Sequence, residues 1–194
     1  CYMVEAEGYA VLLDIGSGAL SLLQKIRPFD SIDDIIISHF HSDHVADAGV
    51  AIYSRLIAMQ LGCHVHPLLF HAMEKRELEM APYSSAVIID EGIPEKIGPF
   101  SISYIRTRHP VPCLAMKLSY GGKSVVYTAD GAFSEKIAEF SSSSDILIAE
   151  CSFYPGSGSQ ESGHMDVYDV VKLAAAASPG KLIVSHLPVY GDSV

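Results

Sequence analysis

Four side chains that bind metal ions fall within six residues, in the run His39-Phe40-His41-Ser42-Asp43-His44. Imidazole nitrogens together with a carboxylate suit zinc, and also manganese or iron. Residues two apart in an extended segment face the same side, so His39 and His41 are expected to point together. Asp43 and His44 then fall in the first turn of the following helix and point elsewhere. One short segment can thus supply ligands to two neighbouring ions. A lone His-x-His would carry little weight. Four such groups straight after the apolar run Ile35-Ile36-Ile37 are a poor match for surface decoration.

Other candidates stand at the ends of apolar runs. His109 comes shortly after Phe100 to Arg106 and before Pro110; Asp130 follows Val125-Val126-Tyr127-Thr128; His186 follows Leu182-Ile183-Val184-Ser185. Taken singly, each is more often a structural polar residue; beside the histidine cluster each is read as a ligand. Glu150 ends Ile146-Leu147-Ile148-Ala149, and His164 lies in Glu161-Ser162-Gly163-His164-Met165, just before a helix. They are candidates for acid–base work, against a plainer reading as a satisfied strand-end carboxylate and a helix-entry residue. Arg106 and Arg108 flank His109 and could meet a phosphate, although arginine on the solvent face of a strand is commoner. His64-Val65-His66 imitates a ligand pair but lacks a following Asp-His and is read as structural.

These residues need a scaffold of alternating strands and helices. Hydrophobic patterning predicts strands over 9–13, 34–38, 65–69, 100–106, 114–120, 124–128, 146–150 and 181–185. It predicts helices over 19–26, 43–61, 70–80, 133–140 and 167–177, the last capped by Asp166. Gly121-Gly122 joins two of the strands as a hairpin. The segments Ile35-Ile36-Ile37-Ser38-His39 and Leu182-Ile183-Val184-Ser185-His186 have one form, a buried strand delivering Ser-His at its end. Functional groups at strand ends, held by a rigid sheet, are the usual place for a site.

At 194 residues the chain is long enough for one domain with a sizeable core. No apolar run approaches the roughly 18 residues of a membrane span. The formal net charge of −10 argues against a grip on long nucleic acid. Cys1, Cys63, Cys113 and Cys151 are widely spaced and are expected to be buried, reduced thiols, which suits the cytoplasm.

The order of motifs resembles the metallo-β-lactamase superfamily: HxHxDH, then His109, then Asp130 in Tyr127-Thr128-Ala129-Asp130, then Ser185-His186. Leu13-Asp14-Ile15-Gly16-Ser17-Gly18 is similar to that superfamily's first motif. The resemblance spans essentially the whole chain. It implies an α/β fold, a four-layer αββα sandwich, formed by a single metallo-hydrolase domain over residues 1–194 with terminal elements of the family missing at both ends. It further implies that His39, His41 and His109 hold one ion, that Asp43, His44 and His186 hold another, and that Asp130 bridges them. Asp14 is then expected to orient a histidine from behind the ligands. Asp130 stands where lactamases of the commonest type carry Cys, which disfavours β-lactam hydrolysis.

Ala149-Glu150-Cys151-Ser152-Phe153 with the later Gly163-His164 resembles ribonuclease Z and its smaller phosphodiesterase relatives, including those acting on cyclic nucleotides. That resemblance makes His164 the proton donor and Glu150 its support, and Asp43 is placed with them among the residues acting on the reaction. The expected activity is hydrolysis of small or cyclic phosphodiesters by a metal-bridging hydroxide, since coordination lowers the pKa of water towards ~7. The short interval 110–129 leaves no room for the arm with which ribonuclease Z grips tRNA. Two divalent ions, zinc before manganese or iron, a small substrate, no membrane and a homodimer complete the expectation. Tyr190 is a candidate pocket residue. The alternatives are a carboxylic ester, lactone or thioester hydrolase of the same superfamily, and a non-catalytic domain that keeps the fold.

Overall fold

A computed structural model describes residues 1–188, so Tyr190 lies outside the described residues. The chain clusters into two compact units, residues 1–90 with 97–99, and residues 91–96 with those from 100 onward.

In the first unit β1 (Tyr2–Ala6) and β2 (Tyr9–Leu13) form an antiparallel pair, and α1 (Ala19–Leu23) follows. Then come β3 (Asp34–Ile36), α2 (Ser42–Val45), α3 (Ala48–Gln60), β4 (Leu68–Ala72) and β5 (Ser84–Ile88). The sheet order is β1-β2-β3-β4-β5, parallel from β2 to β5. Leu12, Ile35, Ile37 and Phe70 pack on Leu20 and Leu23 of α1 and Ala51 and Ile52 of α3.

In the second unit β6 (Glu95–Ile97), β7 (Phe100–Arg106), β8 (Leu114–Tyr120) and β9 (Lys123–Tyr127) precede α4 (Glu135–Phe140) and β10 (Ile146–Glu150). They are followed by α5 (Ser159–Ser162), α6 (Val167–Ala177) and β11 (Lys181–Ser185). The sheet runs β11-β10-β9-β8-β7-β6; β9, β10 and β11 are parallel, and β7, β8 and β9 antiparallel. Val126, Leu147 and Ala149 bury against Ile137 of α4 and Val170 and Leu173 of α6. Asp166 caps α6 as expected, and its own N–H donates in return to the Asp169 side chain.

The long helix expected over 43–61 is two helices. Ile15 intervenes: its N–H donates to the His44 carbonyl at 2.8 Å, and its own carbonyl accepts from Asp47 at 3.0 Å. These bonds tie the loop after β2 to the histidine segment and break the helix at Ala46-Asp47. The helix expected over 19–26 stops at Leu23. The strand expected over 65–69 and helix over 70–80 are replaced by β4 and a short 3₁₀ turn, Arg76–Leu78. Phe70 and Ala72 sit at the centre of a parallel sheet, where a short apolar run reads equally as strand or helix. Within that turn Arg76 has φ 38° and lays its guanidinium over the Phe40 ring at 4.2 Å. Such a backbone costs about 1–3 kcal/mol, and an exposed cation–π pair returns only about 0.5–1 kcal/mol.

Several polar groups unseen in the sequence pattern are buried. Asp34 accepts from the Tyr9 hydroxyl and from His71 Nε2 at 2.8 Å, which makes His71 structural. Burial first, then the Asp34 carboxylate, push the Tyr9 hydroxyl above the usual tyrosine range. Arg55 of α3 is buried and donates to the carbonyls of Ile32 and His66. The opposite face of α3 carries an exposed apolar stripe, Val50, Tyr53, Ile57 and Leu61. Of the four free cysteines, Cys113 and Cys151 are buried, but Cys1 and Cys63 are exposed, against expectation.

Gly16 is where the two loops touch. A Cβ there would lie 1.8 Å from the Asp43 carbonyl oxygen. Both partners are backbone, so neither can swing aside. Gly16→Ala is expected to cost at least about 1–3 kcal/mol, lowering the melting temperature by several degrees in a thermal scan. An unchanged melting temperature would show that the loops are free to separate.

Candidate metal centre

Most of the side chains expected to do chemistry stand at or just beyond the carboxyl ends of parallel strands; His109 follows the antiparallel β7, and His164 lies between α5 and α6. In the first unit Asp14 follows β2, and Ser38, His39, His41, Asp43 and His44 follow β3. Asp14 is buried, at φ 58°. Its Oδ1 accepts the Ser38 N–H at 2.7 Å; its Oδ2 accepts the Ser38 hydroxyl at 2.8 Å and His44 Nδ1 at 2.7 Å. Burial opposes its ionisation, but the His44 and Ser38 bonds outweigh that and hold the carboxyl below the ordinary range.

Proton counting sets the histidine tautomers. A serine hydroxyl has one proton, and Ser38 gives it to Asp14, so Ser38 accepts from His39 Nδ1–H at 3.1 Å. His44 likewise commits Nδ1–H to Asp14. Both rings therefore carry their metal-competent lone pair on Nε2. His39 Nε2 lies 3.0 Å from His41 Nδ1. That is within a few tenths of the roughly 3.3 Å edge of a tetrahedron of nitrogens bound to zinc at about 2.05 Å. Asp43 is exposed, with Oδ2 3.4 Å from His44 Nε2.

The second unit repeats this wiring with other residues. Glu150, the last residue of β10, is 2% exposed and accepts five hydrogen bonds. Oε1 takes the Gly131 N–H at 2.8 Å and His164 Nδ1 at 2.9 Å. Oε2 takes the Ser152 N–H at 3.1 Å, the Ser152 hydroxyl at 2.5 Å and the Met165 N–H at 3.3 Å. With its proton on Glu150, Ser152 accepts from His186 Nδ1–H at 2.7 Å. His109 Nδ1–H donates to the Gly163 carbonyl at 3.0 Å. His109, His164 and His186 thus all keep Nε2 as the outward nitrogen. Asp130 is buried, its Oδ2 3.5 Å from His186 Nε2 and 4.0 Å from His164 Nδ1. Ligand atoms of Asp130, Glu150 and His164 all lie within 4.8 Å of one another. The donors suit a divalent cation: imidazoles with fixed tautomers beside carboxylates.

The structure therefore gathers His39, His41, Asp43 and His44 in one unit, and His109, Asp130, Glu150, His164 and His186 in the other. Arg108 sends Nη1 to Gln160 at the surface, at 3.4 Å. Burial and then Glu150 raise the Cys151 thiol above the usual cysteine range. Two working residues were named in the sequence only as parts of a motif and given no role. Ser152 links His186 to Glu150, and its only signal was its place in Ala149-Glu150-Cys151-Ser152-Phe153. Gly163, at φ 76°, gives its carbonyl to His109, and a Cβ there would lie 2.5 Å from Pro110 Cδ.

Asp14→Asn and Ser152→Ala each leave a candidate ligand histidine, His44 or His186, without its fixed tautomer. Metal affinity, measured by chelator competition, is expected to fall roughly 10–100-fold, with the circular dichroism spectrum retained. Wild-type affinity in both variants would remove these residues from the centre.

A family model for the β-lactamase superfamily domain matches residues 9–187. The chain is 33% identical to the probable metallo-hydrolase YhfI of Bacillus subtilis, over 98% of this chain and 80% of that protein. The crystal structure of that metallo-β-lactamase-fold protein superposes with a TM-score of 0.93, covering 98% of this chain and 79% of the other. Ribonuclease Z of Bradyrhizobium diazoefficiens is 21% identical over 95% of this chain and 82% of its own. A diphosphatase of the PhnP family shares the fold at 16% identity, with a TM-score of 0.76 over 96% of this chain and 71% of that one. With its motifs, its strand-end histidines and these likenesses together, the chain belongs to the metallo-β-lactamase superfamily and has ribonuclease Z-like relatives.

Proposed function

We propose that the protein is a dinuclear, metal-dependent phosphodiesterase acting on small or cyclic phosphodiesters. The observation that carries this reading is His164, whose Nδ1–H is held by Glu150 at 2.9 Å, which leaves Nε2 as the nitrogen that carries the transferable proton when the ring is an imidazolium. A phosphodiester expels an alkoxide, which gains from a positioned general acid. A histidine locked by a buried carboxylate is such a group.

In this reading His39, His41 and His109 hold one ion, and Asp43, His44 and His186 the other, with Asp130 shared and zinc preferred to manganese or iron. When bound, the ions lower the pKa of water towards ~7 and so supply a nucleophile at neutral pH. Asp43 is more exposed than the other proposed ligands and would orient that water. Glu150 fixes the His164 ring, and Ser152 joins that carboxylate to His186. His164 Nε2 delivers the proton to the departing oxygen.

The names of two relatives, a ribonuclease and a diphosphatase, denote cleavage at phosphorus, which supports the class of reaction. The hairpin of β8 and β9 fills the interval between His109 and Asp130, which favours a small substrate over tRNA. We place the protein in the cytoplasm, as a homodimer working away from membranes; none of its helices in the described residues is long and apolar enough to cross one.

Zinc- or manganese-loaded protein is expected to hydrolyse bis-(p-nitrophenyl) phosphate and 2′,3′-cyclic nucleotides, and a chelator to abolish the activity. His164→Ala is expected to lower kcat by roughly 10²–10⁴-fold, most for substrates with poor leaving groups. A metallated protein that turns over thioesters or lactones but no phosphodiester, and ignores His164→Ala, would instead be a carboxylic ester-type hydrolase.

A further inference from the structure

Beside the histidine loop of the first unit lies a cavity of ≈ 640 Å³. That is a typical volume for a small-molecule pocket. Its walls include Phe40, Val45, Ala48 and Leu78, and Arg76 and Glu77 add polar atoms. Phe40 sits in the chain between His39 and His41, and Val45 follows His44. Phe40 alternates with His39 and His41 and so faces away from them, but neighbouring Cα atoms are only ~3.8 Å apart, which sets the cavity wall on the same short loop as those histidines. Metal binding itself needs no apolar wall there, which makes the cavity a place for the part of a substrate that does not react.

The shape of Arg76 narrows the occupant. Its backbone is held at φ 38°, and its guanidinium lies 4.2 Å over the Phe40 ring. The backbone strain exceeds what an exposed cation–π pair returns, so the pair alone does not account for the conformation. Glu74 takes Nε at 2.7 Å and partly neutralises the charge. A second anionic group on the substrate would meet Glu74 and Glu77, and an aliphatic group would leave the guanidinium unused. A planar, nitrogen-rich ring uses everything present: a flat cation to stack on, apolar walls and a carboxylate to accept from a ring amine.

Resting on the phosphodiesterase reading, we propose that this cavity seats the nucleobase of a nucleotide substrate, with Arg76 stacked on Phe40 as its platform. Arg76 is thus a specificity-determining residue that acts on binding and not on the chemical step.

The test compares equilibrium binding of AMP and ribose 5-phosphate to the zinc-loaded protein, by calorimetry. AMP is expected to bind roughly tenfold or more tightly than ribose 5-phosphate. Arg76→Gly, which suits the positive φ, is expected to bring the two within about threefold while leaving the melting temperature unchanged or higher. Arg76→Lys, which keeps the charge and loses the plane, is expected to behave alike and serves if the glycine variant fails to fold. Equal binding of the two ligands by the wild type overturns the pocket and leaves the phosphodiesterase reading standing. A preference that survives both substitutions overturns it as well. Binding of neither ligand by zinc-loaded protein overturns the reading together with the proposal built on it.

Discussion

A carboxylate taken out of water must be repaid in hydrogen bonds, and in each unit of this protein the donors that do so include its working histidines. Asp14 and Glu150 are both nearly inaccessible, and both stand at the carboxyl end of a parallel strand. Each accepts a main-chain N–H, a serine hydroxyl and a histidine Nδ1, and each serine in turn accepts from a second histidine. His39-Ser38-Asp14-His44 and His186-Ser152-Glu150-His164 are therefore the same relay made twice. An unpaired buried charge would be worth several kcal/mol of instability, so ring orientation and tautomer are enforced by the energetics of folding. In the proposed function the twin relays diverge at their last members, where His44, a proposed metal ligand, corresponds to His164, the proposed proton donor.

The sheets supply the rigidity that this requires. Asp14, Ala129 and His186 all have positive φ, at 58°, 50° and 51°. Each follows directly on a parallel strand or lies within two residues of its end. Non-glycine residues in that region cost about 1–3 kcal/mol apiece. They persist where hydrogen-bonded strands hold the chain: β2 and β9 each lie between two neighbours, and β11 lies beside β10. Glycine serves the complementary need for close approach, at Gly16 against Asp43 and at Gly163 against Pro110.

Much of this was legible from residue types alone. The HxHxDH run, the strand-end positions of His109, Asp130, Glu150 and His186, and the repeated Ser-His ending rest on local pattern, and local pattern survives folding. What stayed hidden depends on partners distant in sequence. The break between α2 and α3 comes from Ile15, and the burial of Arg55 comes from carbonyls of two separate loops. β4 looked helical because a strand buried on both faces loses the alternation that betrays strands. Ser152 has an ordinary residue type in an ordinary place, and only the three groups around its hydroxyl reveal its task.

The outer stripe of α3 has a consequence for how the protein behaves in bulk. Val50, Tyr53, Ile57 and Leu61 give water a row of apolar side chains, and the one arginine of that helix is turned inward. At neutral pH the ten excess negative charges keep molecules apart. As the solution is acidified towards the isoelectric point near 5.2, that repulsion fades and the stripe does not. Colloidal stability is therefore lent to this surface by the charge carried elsewhere on the chain, and mild acid or strongly salting-out anions favour association through the stripe.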